Sequence, residues 1–149
     1  MGTPMTAEKG ALEAAEAFIH AIQWSEHTTI WTLLSDAGRT TALSVAVDNG
    51  LDRVTAARIR DNVSDPRQLE DFFTRLLGGL RRDLRSVDID QLEPGVLTCH
   101  PSNNSIDVEL TNPSLLPGTD HWAAGHLVLT ANEAGEWCVE RLVPRIAGR

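Results

Sequence analysis

Residues 120–143, DHWAAGHLVLTANEAGEWCVERLV, contain the clearest β-strand pattern in the chain and decide its fold. Apolar and β-branched residues lie on both sides of Asn132-Glu133-Ala134-Gly135, which has the length and the glycine of a hairpin connection. The segment therefore predicts two long antiparallel strands joined by a turn at these four residues.

The side chains of the two strands alternate between the faces of the sheet. One face of the first strand carries Trp122, Ala124, His126, Val128 and Thr130. One face of the second strand carries Trp137, Val139, Arg141 and Val143. Because neither strand has a fully polar face, we expect helices to cover one side of the sheet. On the other side we expect a ligand, a second subunit or the curvature of the sheet itself.

Length and charge limit the classes of partner. The chain has 149 residues, enough for one domain with a real core, and a formal net charge of −8. This charge argues against binding to nucleic acid or to an anionic membrane, so neither partner is expected. The basic group Arg81-Arg82-Arg85 is interpreted as the cationic end of a helix.

Two further features concern the cellular compartment. No stretch approaches the ~20 apolar residues of a membrane span, and a cytoplasmic protein is predicted. Cys99 and Cys138 lie on predicted strands. Both are expected to be reduced thiols, with a cross-strand disulfide as the alternative.

The order of the segments predicts one α+β domain over residues 1–149. Its N-terminal helices are expected to pack on a curved, mainly antiparallel C-terminal sheet. Residues 1–10 are expected to be flexible, residues 11–85 to form the helical half and residues 86–145 to form the sheet half. Residues 112–118, with two prolines, are expected to be a loop.

Some segments of the helical half carry particular signals. Residues 39–49 fit either a helix or a strand, and a shared apolar face with a stop at Asn49-Gly50 favours the helix. Asp65-Pro66 is the strongest helix start, because Asp is a good N-cap and proline suits the first helical position. The apolar stripe of this helix continues through Gly78-Gly79, which would permit close packing on the sheet.

This arrangement resembles the nuclear transport factor two-like (SnoaL-like) superfamily, which includes ketosteroid isomerases, limonene epoxide hydrolases and SnoaL-like polyketide cyclases. The resemblance rests on residues 14–35, AAEAFIHAIQWSEHTTIWTLLS, and on Glu136-Trp137-Cys138-Val139. It implies a conical sheet and helices that enclose a mostly hydrophobic pocket. It also implies a homodimer formed through the sheet.

The chain departs from the isomerases at the residue that they use as an oxyanion donor. By its spacing in the first helix the matching residue is Phe18, and the chain contains no tyrosine. Because a phenyl ring cannot donate a hydrogen bond to a developing oxyanion, a steroid-isomerase mechanism is disfavoured. The Asp-Arg-Asp set of the epoxide hydrolases does not match particular positions either.

Either His121 or His126 could serve as a general base, helped by Asp107 or Asp120, because imidazole gains and loses a proton near neutral pH. His126 with Asp107 is the candidate pair. The favoured alternative is a surface or hydrogen-bonded structural histidine. His121 lies five residues earlier on the same predicted strand and faces the opposite way, so the two histidines would not bind one metal ion. Neither a metal site nor a cofactor is expected.

The candidates for contact with a ligand are Phe18, Trp31, Trp122 and Arg141. The tryptophans offer large apolar surfaces to a cavity, although core packing explains a tryptophan equally well. Arg141 shares the predicted face of Trp137 and Val139 and would orient a carboxylate or an enolate. The favoured alternative is a surface ion pair between Arg141 and Asp107 or Glu109 across the sheet.

Two classes of function fit these patterns. The first is a pocket protein, a homodimer that holds a small hydrophobic or aromatic molecule, with or without catalysis. The second is an interaction or dimerisation module whose sheet face is buried against a copy of itself or another protein. If Trp122, His126 and Val128 line a void, the first class is supported, and if they are packed or lie at a dimer seam, the second. The resemblance favours the pocket protein, although a fold alone does not determine function.

Overall fold

The computed structural model of the protein describes residues 4–84, 89–112 and 122–144. Five α-helices come first in these residues: α1 (Pro4–Gln23), α2 (His27–Leu33), α3 (Asp36–Asp48), α4 (Arg53–Arg60) and α5 (Pro66–Asp83). Four strands follow: β1 (Glu93–His100), β2 (Ser105–Asn112), β3 (Trp122–Ala131) and β4 (Trp137–Pro144). Short 3-10 turns, Ile89–Gln91 and Pro101–Asn103, precede β1 and β2.

The four strands form one antiparallel sheet in the order β1-β2-β3-β4. The predicted α+β class, with N-terminal helices on a C-terminal antiparallel sheet, is confirmed. The hairpin predicted within residues 120–143 is the β3–β4 pair, and Asn132 closes its turn by accepting hydrogen bonds from the amides of Ala134 and Glu136, both at 2.9 Å. His121 and residues 113–118 of the expected loop lie outside the described residues.

The helix starts agree with the capping signals. Residues 39–49, for which the helix was favoured, lie in α3 except for Asn49, its C-cap, and the Ser35 Oγ accepts a hydrogen bond from the amide of Gly38 at 3.0 Å. Asp65 caps α5 by accepting from the amide of Arg67 at 2.8 Å. These side chains satisfy amides that have no partner within their helices.

Helix α1 begins at Pro4, before the start of the predicted helical half, and contacts all four strands. Its buried side carries Ala11, Ala15, Phe18 and Ile22. The facing side of the sheet, here called the inner face, carries Ile106, Val108, Leu110, Leu127, Leu129 and Val139, all in one hydrophobic core. Full burial of a side chain such as Leu127 stabilises the fold by about 1.5–3 kcal/mol.

Aromatic rings join α2 to α5. Trp31 meets Phe72 edge-on, with ring centroids 5.2 Å apart, and lies 5.7 Å from Phe73. The guanidinium of Arg39 lies 5.3 Å from the centre of the Trp31 ring. Arg81, from the predicted basic group, donates from Nη2 to the carbonyl of Ile22 at 2.8 Å and so ties α5 to the end of α1.

Bulges in β3 and β4, in addition to the irregular register of β1 between Pro94 and Leu97, change which side chains share a face of the sheet. In β3, Leu110 pairs with Gly125 and Thr111 with Ala123, which leaves Ala124 as an extra residue. Gly125 has a φ of 142°, a conformation that favours glycine. In β4, Val128 pairs with Arg141 and Leu129 pairs with Val139, so Glu140 is extra. Each bulge interrupts the strict alternation assumed from the sequence and bends its strand.

Gly78 and Gly79 in α5 lie in open space, whereas Gly38 in α3 lies in close contact with the sheet. At Gly78 and Gly79 an added Cβ would have no neighbour within 4 Å, so the predicted close packing of this pair on the sheet is wrong. At Gly38 an added Cβ would lie 2.8 Å from the carbonyl oxygen of Glu140 and 2.9 Å from that of Val139. At Gly38, therefore, α3 approaches the backbone of the sheet closely, beside the bulge of β4.

Candidate functional site

The face of the sheet opposite the inner face, here called the outer face, carries polar side chains. Asp107 and Glu109 alternate along β2 with buried Ile106, Val108 and Leu110, and therefore point away from the core. An open groove of about 380 Å³, the outer groove, lies on this face. It is lined by Val96, Thr98, Asp107, Glu109, Gly125, His126, Val143 and Pro144.

Two histidines flank the carboxylate of Asp107. His100 Nε2 lies 3.0 Å from Asp107 Oδ2, a hydrogen bond in which His100 donates when its proton is on Nε2. His126 Nε2 lies 3.9 Å from the same oxygen, beyond hydrogen-bond reach but close enough for an ion pair when the ring is protonated. All three side chains are partly exposed, with relative accessibilities of 40% for His100, 27% for Asp107 and 38% for His126.

The arrangement allows these groups different chemical tasks. The hydrogen bond to His100 orients the Asp107 carboxylate. The His126 ring makes no hydrogen bond at this oxygen and lines the outer groove, where it can accept or give a proton. The structure thus places the predicted pair His126 and Asp107 in one groove and adds His100 to them.

The signal for His100 was present in the sequence. The turn at residues 101–104 fixes the pairing of His100 with Ser105, and hence that of Thr98 with Asp107. In that register His100 and Asp107 are diagonal neighbours on one face, within reach of each other. Counting outward from this turn would have identified the contact.

The predicted ligand contacts Phe18 and Trp31 lie on the other side of the sheet. Phe18 is 1% exposed and Trp31 8%, and both belong to the hydrophobic core. The structure therefore does not bring them together with His126 and Asp107. Their apolar surface is used to pack the helices.

A bulge separates Arg141 from its predicted neighbours, and for Trp122 the structure describes only the backbone, which pairs with Asn112. Because Glu140 is extra, Arg141 pairs with Val128 on the outer face, and its predicted grouping with Trp137 and Val139 is wrong. Arg141 is exposed and is not among the residues that line the outer groove. The bulge at Ala124 likewise interrupts the alternation that grouped Trp122 with His126.

The favoured alternative for Arg141 was an ion pair with a carboxylate of β2. Within the described residues, Asp107 is instead close to His100 and His126, and no ion pair joins Arg141 to Asp107 or Glu109. The guanidinium at this edge of the outer face is therefore not used to neutralise the groove.

Cys99 and Cys138 are free thiols on strands at opposite edges of the sheet, so the alternative of a cross-strand disulfide between them is wrong. Cys99 is exposed, and local desolvation, reinforced by the Glu8 carboxylate, raises the pKa of its thiol. Burial also raises the pKa of the Cys138 thiol, with Glu136 adding to the effect and Arg39 opposing it. Neither sulfur lines the outer groove.

In the described part of the chain, no group of three or more His, Cys, Asp or Glu side chains is placed to hold a metal ion. The helices that the structure describes are too short or too polar to cross a membrane. Comparison with protein families, curated proteins and solved structures finds no match to the chain.

Proposed function

We propose that the protein binds a small molecule in the outer groove. The observation that supports this most directly is the meeting of apolar Val143 and Pro144 with Asp107 and His126 in one concave site. Small-molecule sites combine an apolar wall with a few polar groups, in volumes of roughly 300–1,000 Å³. A ligand with a hydrophobic or aromatic body and one polar group fits this lining best.

Proton transfer is the chemistry that the site would add to binding. His126 is partly exposed at the groove, and Asp107 is held by His100 at 3.0 Å. An imidazole beside an oriented carboxylate is a common general acid or base. We propose His126 for this role in the event that the bound molecule is also converted.

The proposal includes a nuclear transport factor two-like fold and a cytoplasmic location. Helices followed by an antiparallel sheet are compatible with the nuclear transport factor two-like resemblance, and the outer groove lies on the face opposite Phe18. Free Cys99 and Cys138 are compatible with a reducing, cytoplasmic location.

Native mass spectrometry of protein purified from its own host tests the binding proposal. Val96 lines the groove and is 68% exposed, so Val96→Trp fills the groove with little change to the core. Val54→Trp on α4, at a valine that is 61% exposed, is the matched control. The wild type and Val54→Trp should carry a noncovalent small molecule that Val96→Trp lacks. Equal occupancy in all three proteins, or none in any of them, would overturn the proposal.

The second candidate function is self-association through the outer face. It is favoured by the exposure of Val96, a large apolar side chain on a face that also carries the partly buried Val143. The same spectra distinguish the two functions, because a dimer without a small molecule that dissociates on Val96→Glu substitution supports self-association. A monomer at every concentration would exclude it.

A further inference from the structure

We infer that the molecule held in the outer groove is an organic cation, an amine or amidine with an apolar body, and that Glu109 is its counter-ion. The inference rests on the proposed function and names the class of ligand. It follows from the charges of the groove, from the state of Glu109 and from the position of Gly95.

The charged side chains that line the outer groove are mainly negative. Among the described residues that line it, Asp107 and Glu109 carry carboxylates and His126 an imidazole, and none of them is lysine or arginine. The net charge of −8 adds a favourable field for a cation. An anionic ligand would meet two carboxylates, and the described lining of the groove has no guanidinium or ammonium to compensate for them.

Glu109 differs from Asp107 because it has no partner among the described residues. Asp107 is engaged by His100, whereas no hydrogen bond or ion pair occupies the Glu109 carboxylate in the described residues. Glu109 is nevertheless half-buried at the groove. Removing a carboxylate from water is unfavourable unless an opposite charge or a donor replaces the water, and an ammonium group supplies both.

Gly95 explains why the carboxylate can take this position. An added Cβ at Gly95 would lie 2.9 Å from Glu109 Oε1 and 2.7 Å from Thr111 Cγ2. The Glu109 side chain therefore lies against the backbone of β1, in the irregular register between Pro94 and Leu97. The bulged edge strand leaves room for the acid at one wall of the groove.

The remaining lining suits the apolar part of such a cation. Val96, Val143 and Pro144 present hydrocarbon surface near the two carboxylates. A ring or short alkyl chain would cover these residues while the ammonium reaches Glu109. His126, with its ring unprotonated, offers a second acceptor to the N–H groups of the ligand.

Three probes with one ring and different charges test the inference: benzylamine, benzyl alcohol and benzoate. Each is titrated into the full chain, and binding is followed by the backbone amide NMR shifts of Gly125, His126 and Val143. Benzylamine should give saturable shifts at these residues, benzyl alcohol should bind at least about tenfold more weakly, and benzoate most weakly. High salt should weaken the binding of benzylamine alone.

Two variants remove one negative charge each. Glu109→Gln should lower the affinity for benzylamine at least about tenfold and leave benzyl alcohol unaffected. Glu133→Gln, in the exposed β3–β4 turn away from the groove lining, is the matched control and should change neither. Gly95→Ala displaces the Glu109 carboxylate without removing it. Its affinity for benzylamine should therefore lie between those of Glu109→Gln and Glu133→Gln.

The failure of this inference is distinct from the failure of the proposed function. Equal affinities for benzylamine and benzyl alcohol, or an unchanged affinity after Glu109→Gln, would overturn the cation while leaving a binding groove. The absence of probe shifts at Gly125, His126 and Val143 would also overturn it. The loss of a host molecule from Val96→Trp in native mass spectra would still support the groove in that case.

Discussion

His100 and Asp107 meet across the β1–β2 hairpin, with His100 Nε2 at 3.0 Å from Asp107 Oδ2, on the face of the sheet that is turned away from the core. His126, from β3, approaches the same oxygen only to 3.9 Å. The Asp107 carboxylate therefore interacts more closely with His100 than with His126. One histidine holds it in place, and the other remains available to the outer groove.

The shorter distance from Asp107 to His100 than to His126 predicts a larger coupling energy for the His100–Asp107 pair. In double-mutant cycles with alanine, His100 and Asp107 should couple by about 0.5–1 kcal/mol in unfolding free energy, a value typical of a partly exposed hydrogen bond. His126 and Asp107 should couple by less, because no hydrogen bond joins them. Urea denaturation of the single and double variants measures both values. A larger coupling for His126 would contradict the geometry.

Replacement of a helix glycine by alanine should stabilise the protein at an open position and destabilise it at a crowded one. Gly78→Ala and Gly79→Ala add a methyl group in open space within α5, so each should raise the unfolding free energy by about 0.5–1 kcal/mol. Each kcal/mol corresponds to about 2–4 °C in Tm for a chain of this size. Gly38→Ala should lower Tm, because its Cβ would meet the carbonyls of Val139 and Glu140. Thermal unfolding followed by circular dichroism checks the signs.

Core and groove substitutions should have opposite effects on stability and binding. Phe18→Leu removes volume from the core and should cost about 1–2 kcal/mol of unfolding free energy. The occupancy of the folded protein by a host molecule should be unchanged. Val96→Trp should remove the bound molecule and change the stability of the ligand-free protein by less than about 0.5 kcal/mol. A loss of ligand with Phe18→Leu at full folding would place the site between the helices and the sheet.

The raised pKa of both thiols predicts slow alkylation. Since a raised pKa means less thiolate at a given pH, Cys99 and Cys138 should react with iodoacetamide more slowly at pH 8 than they do in the unfolded chain. Their rates should rise about tenfold per pH unit up to the raised pKa. Glu8→Gln should accelerate Cys99 alone, because Glu8 reinforces the shift only there. Equal acceleration of Cys138 would exclude a local effect of Glu8.

The fold could be predicted wherever its signals are local. Asp65 and Pro66 mark the start of α5 because a cap and its amides are neighbours in sequence. The turn at residues 132–135 predicts the β3–β4 pair because the two strands are adjacent in sequence. The α+β class follows from the order of such segments.

The faces of the strands could not be predicted as well, because a bulge depends on two strands at once. One extra residue, Glu140, moves Arg141 to the face opposite Val139, and the residues of β4 alone give no sign of it. Phe18 and Trp31 show a second limit, since a residue buried in a core and one that lines a cavity have the same apolar character. His126 and Asp107 lie in one groove because both point outward from neighbouring strands.

The central claim, that the protein holds a small molecule on the outer face of its sheet, is tested most directly by methyl NMR. Spectra are recorded for protein purified from its own host, before and after its small molecules are removed by unfolding and refolding. The methyl resonances of Val96 and Val143 in the groove should move, while those of Val108 and Val139 in the core should not. Shifts at Val108 and Val139, or unchanged spectra throughout, would contradict the account.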